Sequence, residues 1–201
     1  MNIPKVIYFY YDRPSFNDKL KENIEYIKKQ NEEYKVKIIT PYILINLLTK
    51  DKPEWIYYFN KINRNFPNLQ ADYCRFVLLY LYGGVYLDIK IVLLKNLKDI
   101  FNDDTKLYTV KSAVKNSIFQ GIISTPPNNP IFKNLITKIL IRSDYSIKQD
   151  YHIFTKDFFD EFKEGKLFKE VCDNKQTSDL ELSRYNNKCA IYNGSERLFI
   201  K

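Results

Sequence analysis

The stretch that most constrains the fold is residues 70–90, Gln-Ala-Asp-Tyr-Cys-Arg-Phe-Val-Leu-Leu-Tyr-Leu-Tyr-Gly-Gly-Val-Tyr-Leu-Asp-Ile-Lys. From Phe76 to Tyr82 every residue is apolar or aromatic, so a helix here must be buried nearly all round. Asp72 and Arg75 nevertheless sit in its first turns, three apart and on one face. Gly83-Gly84 ends the helix, and the run Val85-Tyr86-Leu87 reads as a strand that delivers Asp88 at its C-terminal end. Charged groups are thus anchored on rigid, buried elements beside a glycine turn.

The remaining pattern alternates strands and helices. Strands are predicted at Ile3–Tyr10, Tyr34–Ile39, Val85–Ile89, Leu107–Lys111, Ile118–Ser124, Ala190–Tyr192 and Arg197–Ile200. Helices are predicted at Phe16–Lys29, Pro41–Leu48, Pro53–Ile62, 69–82, Asn96–Phe101, Ile131–Ile141, Phe154–Phe162 and Lys166–Val171. This order implies an α/β layered sheet, whose ligands bind at the C-terminal strand ends where Tyr10, Tyr11 and Asp88 would lie. With no internal repeat or low-complexity linker, the 201 residues are read as one domain. Its core, ligand-binding part spans about residues 1–142, and a part of helices and short strands spans about residues 143–201.

Composition removes several classes of chemistry. A single histidine, His152, excludes histidine-pair metal sites and leaves a Ser-His-Asp triad one candidate; it reads as a surface histidine before a helix. Cys74, Cys172 and Cys189 form no CxxC pair and read as buried thiols of a reducing compartment, hence a cytoplasmic protein. No signal-like segment follows Met1, and no uninterrupted apolar run is long enough to span a membrane. The net charge of +8 comes from scattered lysines rather than a stripe, which disfavours a nucleic-acid-binding protein and fits a lysine-rich surface or a phosphate-bearing ligand. Asp103-Asp104 reads as a solvated loop.

Residues 71–88 resemble the signature of glycosyltransferase family 32 and its DXD-motif relatives. The resemblance is carried by Ala71, Asp72, Arg75, Tyr82, Gly83, Gly84, Val85, Tyr86, Leu87 and Asp88, in order and spacing. Ile3-Pro4-Lys5-Val6-Ile7 and the segment from Gly121 to Pro130 extend it weakly; the last third of the chain adds nothing to it. One position departs: Lys90 stands where the second DXD aspartate belongs.

The resemblance implies a GT-A-type, Rossmann-like mixed sheet flanked by helices. It implies transfer of a hexose from a nucleoside diphosphate sugar to a glycan or other hydroxyl acceptor, with retention of configuration. Within it, Asp72 and Arg75 hold the donor sugar, and Asp88 contacts the donor and helps hold a divalent cation, manganese or magnesium. Read from the residues alone, Asp72 and Arg75 could equally be an i,i+3 ion pair. Tyr11 occupies the place of a base-stacking tryptophan, although core packing would serve an aromatic run as well. Gln120 falls near the acceptor side. Strand alternation would put Lys90 on the face of Asp88, about 6.5–7 Å away at Cα. There it could pair with Asp88, replace the cation's charge at the diphosphate, or mark a silent nucleotide-sugar binder. Glu196 is a further candidate cation ligand. Gly83, Gly84, Tyr82 and Tyr86 are read as structural.

Overall fold

The computed structural model describes residues 2–62, 67–93, 95–101, 104–111, 116–142, 152–164, 168–177, 180–185 and 188–193. The chain opens with β1 (Val6–Tyr10), α1 (Asp18–Gln30), β2 (Lys35–Ile39), α2 (Pro41–Asp51), α3 (Glu54–Lys61) and α4 (Pro67–Tyr82). It continues with β3 (Gly84–Leu87), β4 (Ile91–Leu93), α5 (Leu97–Ile100), β5 (Leu107–Lys111), β6 (Ile118–Thr125) and α6 (Pro130–Ile141). Then follow α7 (Ile153–Glu164), β7 (Phe168–Thr177), β8 (Leu180–Tyr185) and β9 (Lys188–Asn193). Among the described residues the strands form one sheet in the order β2-β1-β3-β6-β5-β7-β8-β9-β4. β1 runs parallel to both β2 and β3, whereas β3–β6 and β6–β5 are antiparallel, so the sheet is mixed.

Local chemistry sets the helix starts. Asn17 accepts from the Leu20 amide at 2.8 Å and Thr40 from the Ile43 amide at 3.3 Å, each ahead of its helix. Asn129 does the same for α6 at 3.1 Å, with Pro130 in the first helical position. Strand alternation then sorts side chains to two faces. Tyr8, Tyr10 and Tyr86 join the larger core with α4, α6 and α7, while Ile7, Phe9, Val85 and Leu87 pack with Leu20, Ile24 and Ile27 of α1. Helix α4 lies within the larger core, with Tyr73 and residues 76–79 fully buried, as its apolar run demands.

Three expectations are corrected. The span Lys166–Val171, predicted helical, contributes strand β7 from Phe168, which pairs in parallel with β5. The strand predicted as Val85–Ile89 ends at Leu87. Lys90 therefore sits in a turn, closed by the Ile91 amide donating to the Asp88 carbonyl at 2.9 Å, and not on a strand alternating with Asp88. The strand predicted at Arg197–Ile200, together with Glu196 and Asp103, lies outside the described residues.

Candidate functional site

The site is built where α4 crosses the end of β3. Between them stand Gly83 at φ +61° and Gly84 at φ +102°, a left-handed turn that favours glycine. Space makes the same demand, because a Cβ on Gly83 would lie 2.5 Å from the Pro127 nitrogen and one on Gly84 2.8 Å from the Val6 carbonyl oxygen. The Asn128 amide donates to the Tyr80 carbonyl at 2.7 Å, so the Pro126-Pro127-Asn128 turn docks on the end of α4. Two distant sequence segments thereby fix the angle at which α4 meets β3.

A bulge supplies the other wall. Tyr108 pairs with Ser124 but Val110 pairs with Phe119, so β6 advances five residues while β5 advances two. The excess lies around Gln120 and Gly121, and bulges of this kind re-aim backbone and side chains. The Gly121 carbonyl accepts from the Asp88 amide at 2.8 Å, and a Cβ on Gly121 would lie 2.3 Å from Cζ of the Phe119 ring.

Arg75 is the hub. Its Nη2 lies 3.2 Å from Asp72 Oδ1 and 3.2 Å from Asp88 Oδ1. Its Nη1 donates to the Gln120 carbonyl at 2.9 Å and to Gln120 Oε1 at 3.3 Å, and its Nε to the Ala71 carbonyl at 3.4 Å. The Tyr86 ring lies under the guanidinium, 4.7 Å from its carbon to the ring centroid. Burial pushes the Asp72 carboxyl up to about 6; the Arg75 guanidinium pulls it back and the Asp88 charge adds to the rise. Arg75 stays charged: its pKa is raised overall, the nearby Tyr86, Asp88 and Asp72 outweighing the opposing effect of burial. Arg75 is also the cation that tightly buried surroundings tolerate best, since one planar group serves several acceptors.

The structure thus brings Asp72, Arg75, Asp88 and Gln120 into one cluster. Tyr11 is not part of it. Its ring stacks on Phe16 at 4.2 Å and 15°, its hydroxyl donates to the Ser15 carbonyl at 2.9 Å, and it belongs to the core on the α1 side. Lys90 lies half-buried in the turn just past Asp88. Tyr82 donates its hydroxyl to Asp51. His152 precedes α7, and Asp104 is exposed. Sequence reasoning left Tyr86 as core filler and did not see the Gln120 bulge. Tyr86 had a signal, since it stands two residues before Asp88 in an alternating run; the bulge had none, because only pairing with β5 reveals it.

The donor set gives little to a divalent cation. Asp72 and Asp88 each commit an oxygen to the same guanidinium nitrogen. Among the described residues no three His, Cys, Asp or Glu side chains gather as a metal-ion cluster. The described side chains do not fit a cation site by themselves.

Residues 17–107 match the family model of the glycosyltransferase sugar-binding region containing a DXD motif. That span holds Asp72, Arg75, Asp88 and Lys90, and it supports a glycosyltransferase-type sugar-binding region. An uncharacterized glycosyltransferase of Acanthamoeba polyphaga mimivirus is 30% identical over 128 residues, 62% of this chain and 48% of that protein. The chain therefore spans about half the length of the curated relative it matches. Among solved structures, the PaToxG glycosyltransferase superposes with a TM-score of 0.62 at 17% identity, over 81% of this chain and 70% of that one. Mouse xyloside xylosyltransferase 1 superposes with a TM-score of 0.54 at 10% identity, over 99% of this chain and 100% of that one. The fold is GT-A-like. Among the described residues no helix is long and apolar enough to cross a membrane.

Proposed function

We propose that this chain transfers a hexose from a nucleoside diphosphate sugar to a glycan or other hydroxyl acceptor, with retention of configuration. The observation that carries the reading is the Arg75-linked carboxylate pair, Asp72 and Asp88, at the strand end where sheets of this kind bind ligands. Carboxylates so held accept hydrogen bonds from sugar hydroxyls in fixed geometry, which turns the anomeric carbon toward the acceptor. In the transfer the bond from that carbon to the phosphate oxygen breaks, and a bond to the acceptor oxygen forms on the same face. The departing phosphate takes the acceptor proton, so no protein base is required. Lys90, just past Asp88, supplies positive charge for the leaving diphosphate where DXD relatives place a carboxylate. The buried free thiol of Cys74 fits the reducing cytoplasm as its compartment.

Lys90 also favours a second reading, a silent nucleotide-sugar binder. Mass spectrometry of nucleoside diphosphate released from a panel of UDP- and GDP-sugars separates the two. Release by one donor supports transfer; tight binding of a donor without release supports the silent binder. Salt-sensitive binding to unrelated RNA with no sugar-nucleotide binding overturns both. On the transfer reading, wild-type turnover persists in chelator and Lys90→Asp makes it metal-dependent. Complete loss in chelator, restored by manganese alone, removes charge replacement by Lys90.

A further inference from the structure

Both neighbours of β5 lose register at one residue, Thr109. On one side, the step from Tyr108 to Val110 spans five residues of β6, from Ser124 to Phe119. On the other, Thr109 pairs with Glu170 and Val110 with Cys172, so β7 advances two residues while β5 advances one. The ladder is therefore irregular on both edges of Thr109, and bulges of this kind leave backbone groups unpaired. Val110 and Phe119 pair and both pack with the core on the α1 side. The next residues along these antiparallel strands, Thr109 and Gln120, thus turn to the opposite face. Helix α4 lies on that face, and Arg75 reaches Gln120 from it.

Thr109 is 1% exposed and Gln120 3%. Among the described residues neither Thr109 Oγ1 nor Gln120 Nε2 has a hydrogen-bond partner. The amide cannot resolve this by turning over. Its Oε1 accepts from Arg75 Nη1 at 3.3 Å, and a guanidinium only donates, so the flipped amide would set donor against donor. A buried hydroxyl and a buried amide N–H without partners are costly, and here they stand side by side at a double bulge.

We infer that one buried water bridges Gln120 Nε2 and Thr109 Oγ1. It accepts from the amide and shares a hydrogen bond with the hydroxyl, and backbone groups freed by the bulges complete the about three bonds such a water makes. Water is the polar guest that fits, because both side chains are closed off from solvent. Thr109 is thereby a positioning residue: through the water it holds the Gln120 amide in the orientation that faces Arg75. The inference goes beyond the transfer reading and holds whether or not the chain transfers sugar.

The test is a high-resolution crystal structure of the ligand-free full chain, with Thr109→Val and Thr109→Ser beside the wild type. The expected wild-type density holds one ordered water within about 3.2 Å of both atoms. Thr109→Val keeps the shape and removes the hydroxyl, so the water is lost. Solvent exchange of the Gln120 side-chain amide protons, followed by nitrogen-15 NMR and assigned through Gln120→Glu, then speeds up about fivefold, the worth of one net hydrogen bond. Thr109→Ser keeps both the water and the slow exchange. No ordered water at that point, or a direct bond from either atom to a protein group, overturns the site. Unchanged amide exchange in Thr109→Val overturns the positioning role of Thr109. Should Thr109→Val not fold, the wild-type density decides the site and Thr109→Ala reads the exchange rate in its place.

Discussion

Two arginine clusters in this fold differ in how many carboxylates each arginine serves. Between α6 and α7, Arg142 forks onto Asp157, its Nε donating to Oδ2 at 2.9 Å and its Nη2 to Oδ1. One turn earlier Lys138 pairs with Glu161 at 2.7 Å, and Asn134 donates to the same carboxylate at 2.9 Å. Each cation there has one carboxylate, and the groups join two helices. At α4 and β3, one cation serves two carboxylates. A matched pair spends its charge holding elements together. Two carboxylates sharing one guanidinium nitrogen leave further acceptor oxygens for a ligand, which is why the second cluster and not the first is the candidate site.

The comparison breaks most visibly at Asp88. Its side chain is the most exposed of the Arg75 cluster, so Asp88→Ala should leave the melting temperature within a few degrees of wild type. Turnover of the donor should fall by about a hundredfold to a thousandfold, the loss typical of removing one group that stabilises or orients the reacting centre. Donor hydrolysis and a thermal melt on the same sample check it. A fall of many degrees would make Asp88 structural and erase the contrast.

Asp72 comes next, through pH. Its carboxyl is raised from 3.8 to about 6 by burial, so the folded chain holds that proton more tightly than the unfolded chain. Stability should therefore decline as pH rises across the interval between those two values, then level off. The decline contributed by this group is at most about 3 kcal/mol, at about 1.4 kcal/mol per pH unit. Asp72→Asn should flatten that part of a denaturation series run from pH 4 to 7. Turnover should rise through about pH 6 as the wild-type carboxylate ionises and becomes an acceptor. An unchanged slope in Asp72→Asn sinks the assignment.

The contrast between the two clusters explains what could be read from residues alone. The α4–β3 junction was legible because its constraints are local: an apolar helix, a glycine pair suited to a positive-φ turn, and a short β-rich run. Asp72 and Arg75 were legible as neighbours by helical spacing. Lys90 was misplaced because Asp88-Ile89-Lys90-Ile91-Val92-Leu93 alternates like a continuing strand, whereas the Asp88 carbonyl closes a turn with Ile91. Phe168, Lys169, Glu170 and Val171 carry apolar residues three apart, which mimics a helix; pairing with β5 decides otherwise. Gln120 gains its place from a bulge defined by a neighbouring strand, and no pattern within residues 118–125 encodes that. Local chemistry was readable, and inter-strand register was not.

The matched cluster gives the third effect. The Asp157 side chain is 10% exposed and takes two bonds from Arg142. Asp157→Ala leaves that guanidinium without its fork and should cost about 1–3 kcal/mol. A chain of this size then melts several degrees lower. Turnover per folded molecule should not change, since α6 and α7 meet the large core and not the Asp88 turn. A loss of turnover at full folding would show that the two clusters communicate.

The smallest effect sharpens the same point at Lys138. Burial alone would raise the Glu161 pKa, yet hydrogen bonds from Lys138 and Asn134 and the Lys138 charge hold it below the ordinary carboxylate value. The pair thus contributes stability above the unfolded glutamate pKa, and that contribution fades as pH falls through the lowered folded value. The Lys138 side chain is 34% exposed, so solvent and salt screen it. Lys138→Ala keeps the Asn134 bond and should cost under about 1 kcal/mol, less still at high salt. Chemical denaturation at low and high ionic strength measures both. A cost above about 2 kcal/mol that salt does not reduce would mean that this helix pair is held by charge after all, and that stoichiometry alone does not separate a structural cluster from a binding one.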